Sequence, residues 1–285
     1  MREVDLLLED GHTLRVYDTR PCDGDGLAVF WLHGTPNIGR PPEPLFDNAV
    51  RLGLHWIGYD RPGYGGSTSR QGRNAASAAR DVLHIAEQLG IQRFAVMGHS
   101  GGGPHALACA ALLHGRVLAA VSIAGLAPYG AEGLDWFAGM HSSGEAGLRA
   151  ALAGRPAKLA YETASPAFDR AMFTDADWAA LSGPWAWFDQ VVGPALAAGP
   201  EGLIDDDIAY VTPWGFDCGQ ISCPVLVVHG AEDRIVLPNH GNWLAKNCPT
   251  AEQWMQPNDG HISVLTAATR SLAWIKEHAS IWDAG

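Results

Sequence analysis

Eight short apolar runs punctuate the chain and predict strands near residues 3 to 9, 13 to 18, 27 to 33, 54 to 59, 93 to 98, 117 to 124, 224 to 229 and 252 to 256. The first two, Val4 to Glu9 and Thr13 to Asp18, meet across Asp10-Gly11, which predicts an antiparallel hairpin. From the third run onward helical patterns intervene. Ala79, Val82, Ile85, Ala86 and Leu89 form one such face, closed by Gly90, and an Ala/Leu-rich stretch from Pro104 to His114 is stopped by Gly115. Ile262, Leu265, Thr269, Leu272 and Ile275 recur at close to the 3.6-residue period of a helix packed on a sheet. Alternation of strand and helix predicts an α/β architecture with a mostly parallel sheet covered on both faces. It breaks between about Leu126 and Ile204, where the chain is rich in Ala, Gly, Pro and Trp and shows no strand pattern.

Composition narrows the class. At 285 residues and 47% hydrophobic, the chain is long enough for one large domain carrying an insertion. A net charge of -12 argues against nucleic acid and anionic membranes, which call for clustered Lys and Arg. The five cysteines, at 22, 109, 218, 223 and 248, are odd in number and lack metal or redox spacing, so a reducing cytoplasm and a buried Cys109 are expected. No leader-like segment and no run of about 18 apolar residues is visible, which reads as a soluble protein. No motif for a cofactor or metal is found.

The candidate chemistry starts at Val96-Met97-Gly98-His99-Ser100-Gly101-Gly102-Gly103, where a serine stands between glycines at the junction of a strand and a helix. This is the form of a nucleophile elbow, in which a sharp turn strains the serine backbone and exposes its Oγ at the helix N-terminus. Glycines at 98 and 102 remove side chains that would collide across the turn. A serine hydroxyl needs a histidine to take its proton and a carboxylate to orient that histidine. Pro224 to Gly230 reads as a strand running into Ala231-Glu232-Asp233-Arg234, and the His-Gly-x-x-Asp spacing favours Asp233 over Glu232. The strand Glu252 to Met255 is followed by the turn Asn258-Asp259-Gly260-His261, and His261 is expected to open a helix. Among the twelve histidines, most must be structural or exposed. Two backbone N–H groups are needed for an oxyanion: Gly101, after the nucleophile, and Thr35, in the His33-Gly34-Thr35-Pro36 turn after the third strand.

Together with Asp60-Arg61-Pro62-Gly63-Tyr64-Gly65-Gly66-Ser67, these five ordered segments resemble the α/β-hydrolase superfamily over essentially the whole chain. The resemblance implies an α/β-hydrolase core at 1–125 and 205–285 and a helical cap at 126–204 that carries substrate choice. It implies a structural role for Asp60 and Arg61. Ser100 argues against haloalkane dehalogenases and epoxide hydrolases, which carry aspartate there. Thr35 and the residues after Ser100 depart from cofactor-free haloperoxidases, and Thr35-Pro36-Asn37 departs from the His-Gly-Gly-Pro-Gly loop of proline iminopeptidases.

The resemblance thus implies a serine hydrolase of small-to-medium carboxylic esters. An aminopeptidase, a non-hydrolytic biosynthetic enzyme and a ligand-binding protein on the same fold stay open, as does homo-oligomerisation. Trp136, Phe137, Met140, Trp178, Trp185, Trp187 and Phe188 concentrate large apolar side chains in the insertion, either holding it to the core or facing substrate. Trp136, Trp187 and Trp214 are the substrate-binding candidates. In Asp205-Asp206-Asp207 one residue is expected to cap a helix and the others to be solvated, the alternative being contact with a substrate amine.

Overall fold

The computed structural model describes residues 1–20, 26–164, 168–197 and 199–283. Its strands are β1 (Arg2–Leu7), β2 (Thr13–Asp18), β3 (Leu27–Leu32), β4 (Leu54–Tyr59), β5 (Phe94–His99), β6 (Val117–Ile123), β7 (Val225–Gly230) and β8 (Ala251–Gln256). All eight fall within two residues of the bounds that the apolar runs predict. They form one sheet in the order β1-β2-β4-β3-β5-β6-β7-β8. β1 and β2 pair antiparallel from Arg2↔Asp18 to Leu7↔Thr13, β2 pairs antiparallel with β4, and every later pairing is parallel.

The helices are α1 (Phe46–Arg51), α2 (Ser77–Gln88), α3 (Gly102–Leu112), α4 (Ser142–Leu152), α5 (Arg155–Thr163), α6 (Asp175–Leu181), α7 (Asp189–Ala197), α8 (Glu201–Val211), α9 (Pro238–Asn247) and α10 (Ala268–Asp283). Strand periodicity sorts them. On β3, Phe30 and Leu32 point into a core shared with α2, α3 and α9, whereas Val29 and Trp31 point into a second core shared with α1 and α10. The central strands are buried on both faces, which is why their sequences are continuously apolar. Cys109, Cys218, Cys223 and Cys248 are buried and unpaired, and Cys22 lies outside the described residues. Among the described residues no helix is long and apolar enough to cross a membrane.

Between β6 and β7 the chain makes five α-helices, α4 to α8, with no strand among the described residues of 126–204. Two expectations are corrected here. α8 runs unbroken across position 204 and packs against α4 and α5, so Asp205, Asp206 and Asp207 lie inside a helix and are buried, neither capping nor solvated. The reason is electrostatic: Asp205 pairs with Arg155, Asp206 with Arg61 and Arg73, and Asp207 with Lys158. Likewise His261 does not open a helix. It sits in a turn ahead of a short 3-10 segment, Ser263–Ala267, and α10 begins only at Ala268.

Candidate active site

Ser100 follows β5 directly and precedes α3, with φ of 54°, the left-handed region that a non-glycine residue enters only under strain. The strain is tolerated because its neighbours leave room. A side chain on Gly98 would strike the Gly102 carbonyl, and one on Gly102 would strike the Leu32 carbonyl. Asp233 and His261 lie three and five residues past the ends of β7 and β8, and Thr35 lies three past β3. Parallel pairing brings all four loops to the carboxyl edge of the sheet.

There Ser100, Asp233 and His261 form a continuous hydrogen-bonded chain. Asp233 can only accept, so His261 carries its proton on Nδ1 and donates it to Asp233 Oδ2 at 2.8 Å. His261 Nε2 is left to accept from the Ser100 hydroxyl at 2.9 Å. Asp233 is itself fixed, its Oδ1 accepting the N–H groups of Ile235 at 2.8 Å and Val236 at 3.0 Å. Glu232, the neighbour not chosen, is exposed. Burial opposes charging of His261, but the Asp233 carboxylate overcomes it and raises the imidazole above its usual value. The neighbouring His99 is buried and pushed down to about 3, so it stays neutral, and its Nε2–H donates to the His261 carbonyl at 2.9 Å.

Two further carboxylates, in roles not expected from the sequence, hold the segments that carry His261 and Thr35. Asp177 caps α6 with Thr174 and accepts the backbone N–H groups of Ile262 at 2.7 Å, Ser263 at 2.9 Å and His261 at 3.3 Å. These bonds satisfy the backbone N–H groups of the turn that leads into the 3-10 segment ahead of α10. The Thr174-x-x-Asp177 spacing is a capping-box signature and was the available signal. Asp206 is fully buried and accepts from Thr35 Oγ1 at 2.5 Å, Tyr64 OH at 3.0 Å, Arg73 Nη1 at 2.6 Å, and Arg61 Nε at 3.1 Å and Nη2 at 2.5 Å. Burial would protonate Asp206, but Arg61 and Arg73 hold it well below the usual carboxylate range. Arg61 also donates to the His33 carbonyl, and to that of Gly34 at 3.2 Å, so the Thr35 turn is pinned from behind.

Thr35 and Gly101 face each other beside Ser100. A Cβ on Gly101 would stand 2.8 Å from Thr35 Oγ1, and neither residue's N–H is taken up by another hydrogen bond among the described residues. Tyr210 OH shares a 2.7 Å hydrogen bond with Thr35 Oγ1.

The cleft over Ser100 divides into two chambers. The larger, about 500 Å³, contains His261 and Ile262 and is walled by Met172, Phe173, Trp178 and Phe188. The smaller, about 230 Å³, contains Gly101 and is lined by Met140, Lys158, Tyr161, Glu162, Asp207 and Tyr210. The three tryptophans expected to bind substrate line neither chamber. Trp136 donates its indole N–H to the Ala127 carbonyl at 2.7 Å and packs edge-on against His240. Trp187 packs against Trp31 in the core, and Trp214 stacks on Phe216 and donates to the Tyr210 carbonyl at 3.3 Å. Each is at least 96% buried, because tight packing rather than the cleft satisfies its apolar surface. Trp178, Phe188 and Met140 supply the cleft contacts instead.

Comparison with known proteins supports this frame. A family model described as alpha/beta hydrolase fold matches residues 28–268. A 2-hydroxy-6-oxononadienedioate/2-hydroxy-6-oxononatrienedioate hydrolase of Klebsiella pneumoniae is 28% identical over 267 residues, covering 89% of this chain and 86% of that one. A non-heme chloroperoxidase of Streptomyces lividans is 29% identical over 238 residues, 80% of this chain and 81% of that one. The solved structure of a thermophilic esterase from Thermogutta terrifontis superposes with a TM-score of 0.70 at 20% identity and covers 99% of both chains, a likeness of fold. With its family match spanning every segment that builds the site, this chain is a hydrolase belonging to the alpha/beta hydrolase fold family.

Proposed function

We propose that the protein is a serine esterase that cleaves small-to-medium carboxylic esters through an acyl-enzyme on Ser100. The observation that carries this reading is the unbroken Ser100–His261–Asp233 chain, ending on a strained serine at the floor of a largely apolar cleft. In the first half-reaction Ser100 Oγ bonds to the ester carbonyl carbon while its proton passes to His261 Nε2. The Thr35 and Gly101 N–H groups take the oxyanion, aided by the positive end of α3. The C–O bond to the alkoxy group then breaks, and the His261 proton leaves on the alcohol. Water, deprotonated by His261, releases the acid and restores Ser100. The helices between β6 and β7 act as a cap that excludes bulk water from this step.

Cleavage of a dicarboxylate, the substrate class in the name of the Klebsiella relative, is less well supported here. Neither chamber presents an unpaired cation among the described residues, since Lys158 is bound to Asp207 and Glu162. A fluorophosphonate probe tests the ester reading: an adduct on Ser100 with turnover of 1-naphthyl butanoate is expected, and both are lost in Ser100→Ala. Wild-type turnover in that variant would overturn the assignment.

A further inference from the structure

The two chambers differ in one respect that fixes the orientation of a substrate. His261, which must hand its proton to the departing alcohol, lines the larger chamber and not the smaller one. The leaving group therefore occupies the larger side, and the acyl chain extends past Gly101 into the smaller chamber.

Among apolar side chains such as Leu126, Leu148, Leu203 and Val236, that chamber holds a cluster of groups that donate and accept. Lys158 is 1% exposed, and its Nζ lies 2.5 Å from Asp207 Oδ2 and 2.6 Å from Glu162 Oε1. Each carboxylate uses one oxygen on Lys158, and the other has no partner among the described residues. Burial pushes Asp207 up to about 6, so at neutral pH the chamber holds two carboxylates and one ammonium. A ligand carboxylate would face two like charges, and a ligand ammonium could reach a free carboxylate oxygen only by losing its hydration beside Lys158, which already neutralises one of the two charges. A neutral hydroxyl meets neither cost: it donates to a free carboxylate oxygen and accepts from Lys158. At about 230 Å³ the space suits a short chain, about seven water-sized groups at the density of liquid water.

We propose that the chamber bounded by Lys158, Glu162, Asp207 and Tyr210 is an acyl subsite for short, neutral, hydroxyl-bearing acyl chains, so that the preferred substrates are hydroxyacyl esters of apolar alcohols. This rests on the esterase reading above and adds which side of the ester enters which chamber. The chemistry is unchanged: the hydroxyacyl carbon bonds to Ser100 Oγ, the alkoxy C–O bond breaks, and water later supplies the oxygen of the released hydroxyacid.

The test compares four 1-naphthyl esters at pH 7.5 with the full chain: butanoate, 3-hydroxybutanoate, 3-aminobutanoate and hemisuccinate, each rate normalised to alkaline hydrolysis. The expected kcat/KM for 3-hydroxybutanoate is about tenfold above butanoate, the gain from one added hydrogen bond of about 1.4 kcal/mol, with the amino and carboxylate esters below butanoate. In Gly147→Ala, whose Cβ would stand 3.3 Å from Lys158 Nζ in the chamber wall, the hydroxyl preference is expected to fall at least twofold. Glu162→Gln should likewise reduce it, so the argument survives if one variant fails to fold. Turnover of butanoate at least as fast as 3-hydroxybutanoate, or a preference for the amino or carboxylate ester, overturns the subsite while leaving the esterase intact. Absence of both a fluorophosphonate adduct and any turnover overturns the esterase reading and the subsite with it.

Discussion

Replacing Asp206 by Asn keeps the volume of a fully buried side chain but removes the single negative charge between two buried guanidinium groups. It also turns one accepting oxygen into a donor among the Arg61, Arg73, Tyr64 and Thr35 donors that converge there. Breaking a buried ion pair from one side costs about 3 to 5 kcal/mol, a large share of a total stability of about 5 to 15 kcal/mol. With about 2 to 4 °C per kcal/mol for a chain of roughly this size, the melting temperature should fall by about 10 °C. The kinetic effect travels through Thr35, whose Oγ1 loses its acceptor next to the N–H assigned to the oxyanion. A misplaced donor of this kind should lower kcat by about 10- to 100-fold, less than deletion of the donor, and leave KM within about threefold. Thr35→Val separates the two effects: it removes the hydroxyl without stranding a charge, so kcat should fall with little change in melting temperature. Thermal melts and steady-state kinetics on 1-naphthyl butanoate measure both. An Asp206→Asn enzyme that melts within about 2 °C of the parent and keeps its kcat would refute the view of Asp206 as the anchor of the oxyanion turn.

Asp177→Ala should release the N–H groups of His261, Ile262 and Ser263 and lower kcat by about tenfold while fluorophosphonate labelling of Ser100 slows in parallel; unchanged labelling would count against the coupling. In the proposed mechanism the base is neutral His261, raised above its usual value despite burial by the Asp233 charge, so kcat/KM should rise with pH through a midpoint above 6.5 and then level. Asp233→Asn should move that midpoint down, and a parent midpoint below 6 would contradict the geometry. Stability has its own pH dependence. His99 at about 3, and His105 and His240 at about 4, are all lowered by burial, and they favour the folded state above 6.5 and lose that contribution as pH falls. Asp60 and Asp207, raised to about 6 by burial, act in the opposite direction between about 4 and 6. Near pH 5 the three histidines exceed the two aspartates by one proton, about 1.4 kcal/mol per pH unit. His33, His55 and His229 add to the loss, while Asp81 and Asp205, raised by burial, and His261 offset part of it. Melting temperature should therefore drop from pH 7 to pH 5, and a rise over that range would refute the balance.

What was legible in the sequence follows from how locally each feature is determined. β5, the elbow and α3 are written within one continuous stretch, Phe94 to Leu112, because the tight turn demands glycine at 98 and 102 and the strand demands apolar side chains. Asp233 and His261 were legible for the same reason: each stands a fixed few residues beyond a run of strand-forming side chains. The tryptophans were not. Composition marks Trp136 and Trp187 as large and apolar, but whether such a ring meets the core or the cleft is decided by partners such as His240 and Trp31, more than a hundred residues away. Asp206 is the clearest case. An aspartate triplet in a helix is solvated by default, and only Arg61 and Arg73, 145 and 133 residues distant, make burial of its middle member favourable.

Asp177 and Asp206 share a further property, in that both belong to the helices inserted between β6 and β7, whereas the loops they hold belong to the sheet. One carboxylate fixes the His261 segment and the other the Thr35 turn, so under the proposed mechanism the inserted helices act on the chemistry from both sides of Ser100 as well as shaping the cleft. Substrate choice and catalytic geometry would then be mechanically linked. A change on α6 or α8 made to reshape a chamber strains the same helices that aim His261 and Thr35, and would surface in kcat as well as in KM. Changes to the side chains of Phe173 or Met172, which wall the large chamber and make no hydrogen bond to the His261 or Thr35 segments, should alter KM far more than kcat. The Ala171 carbonyl beside them accepts from Arg234 in the Asp233 loop at 3.1 Å, so redesign of specificity in this protein is better directed at those two side chains than at the backbone of their segment or at α6 and α8.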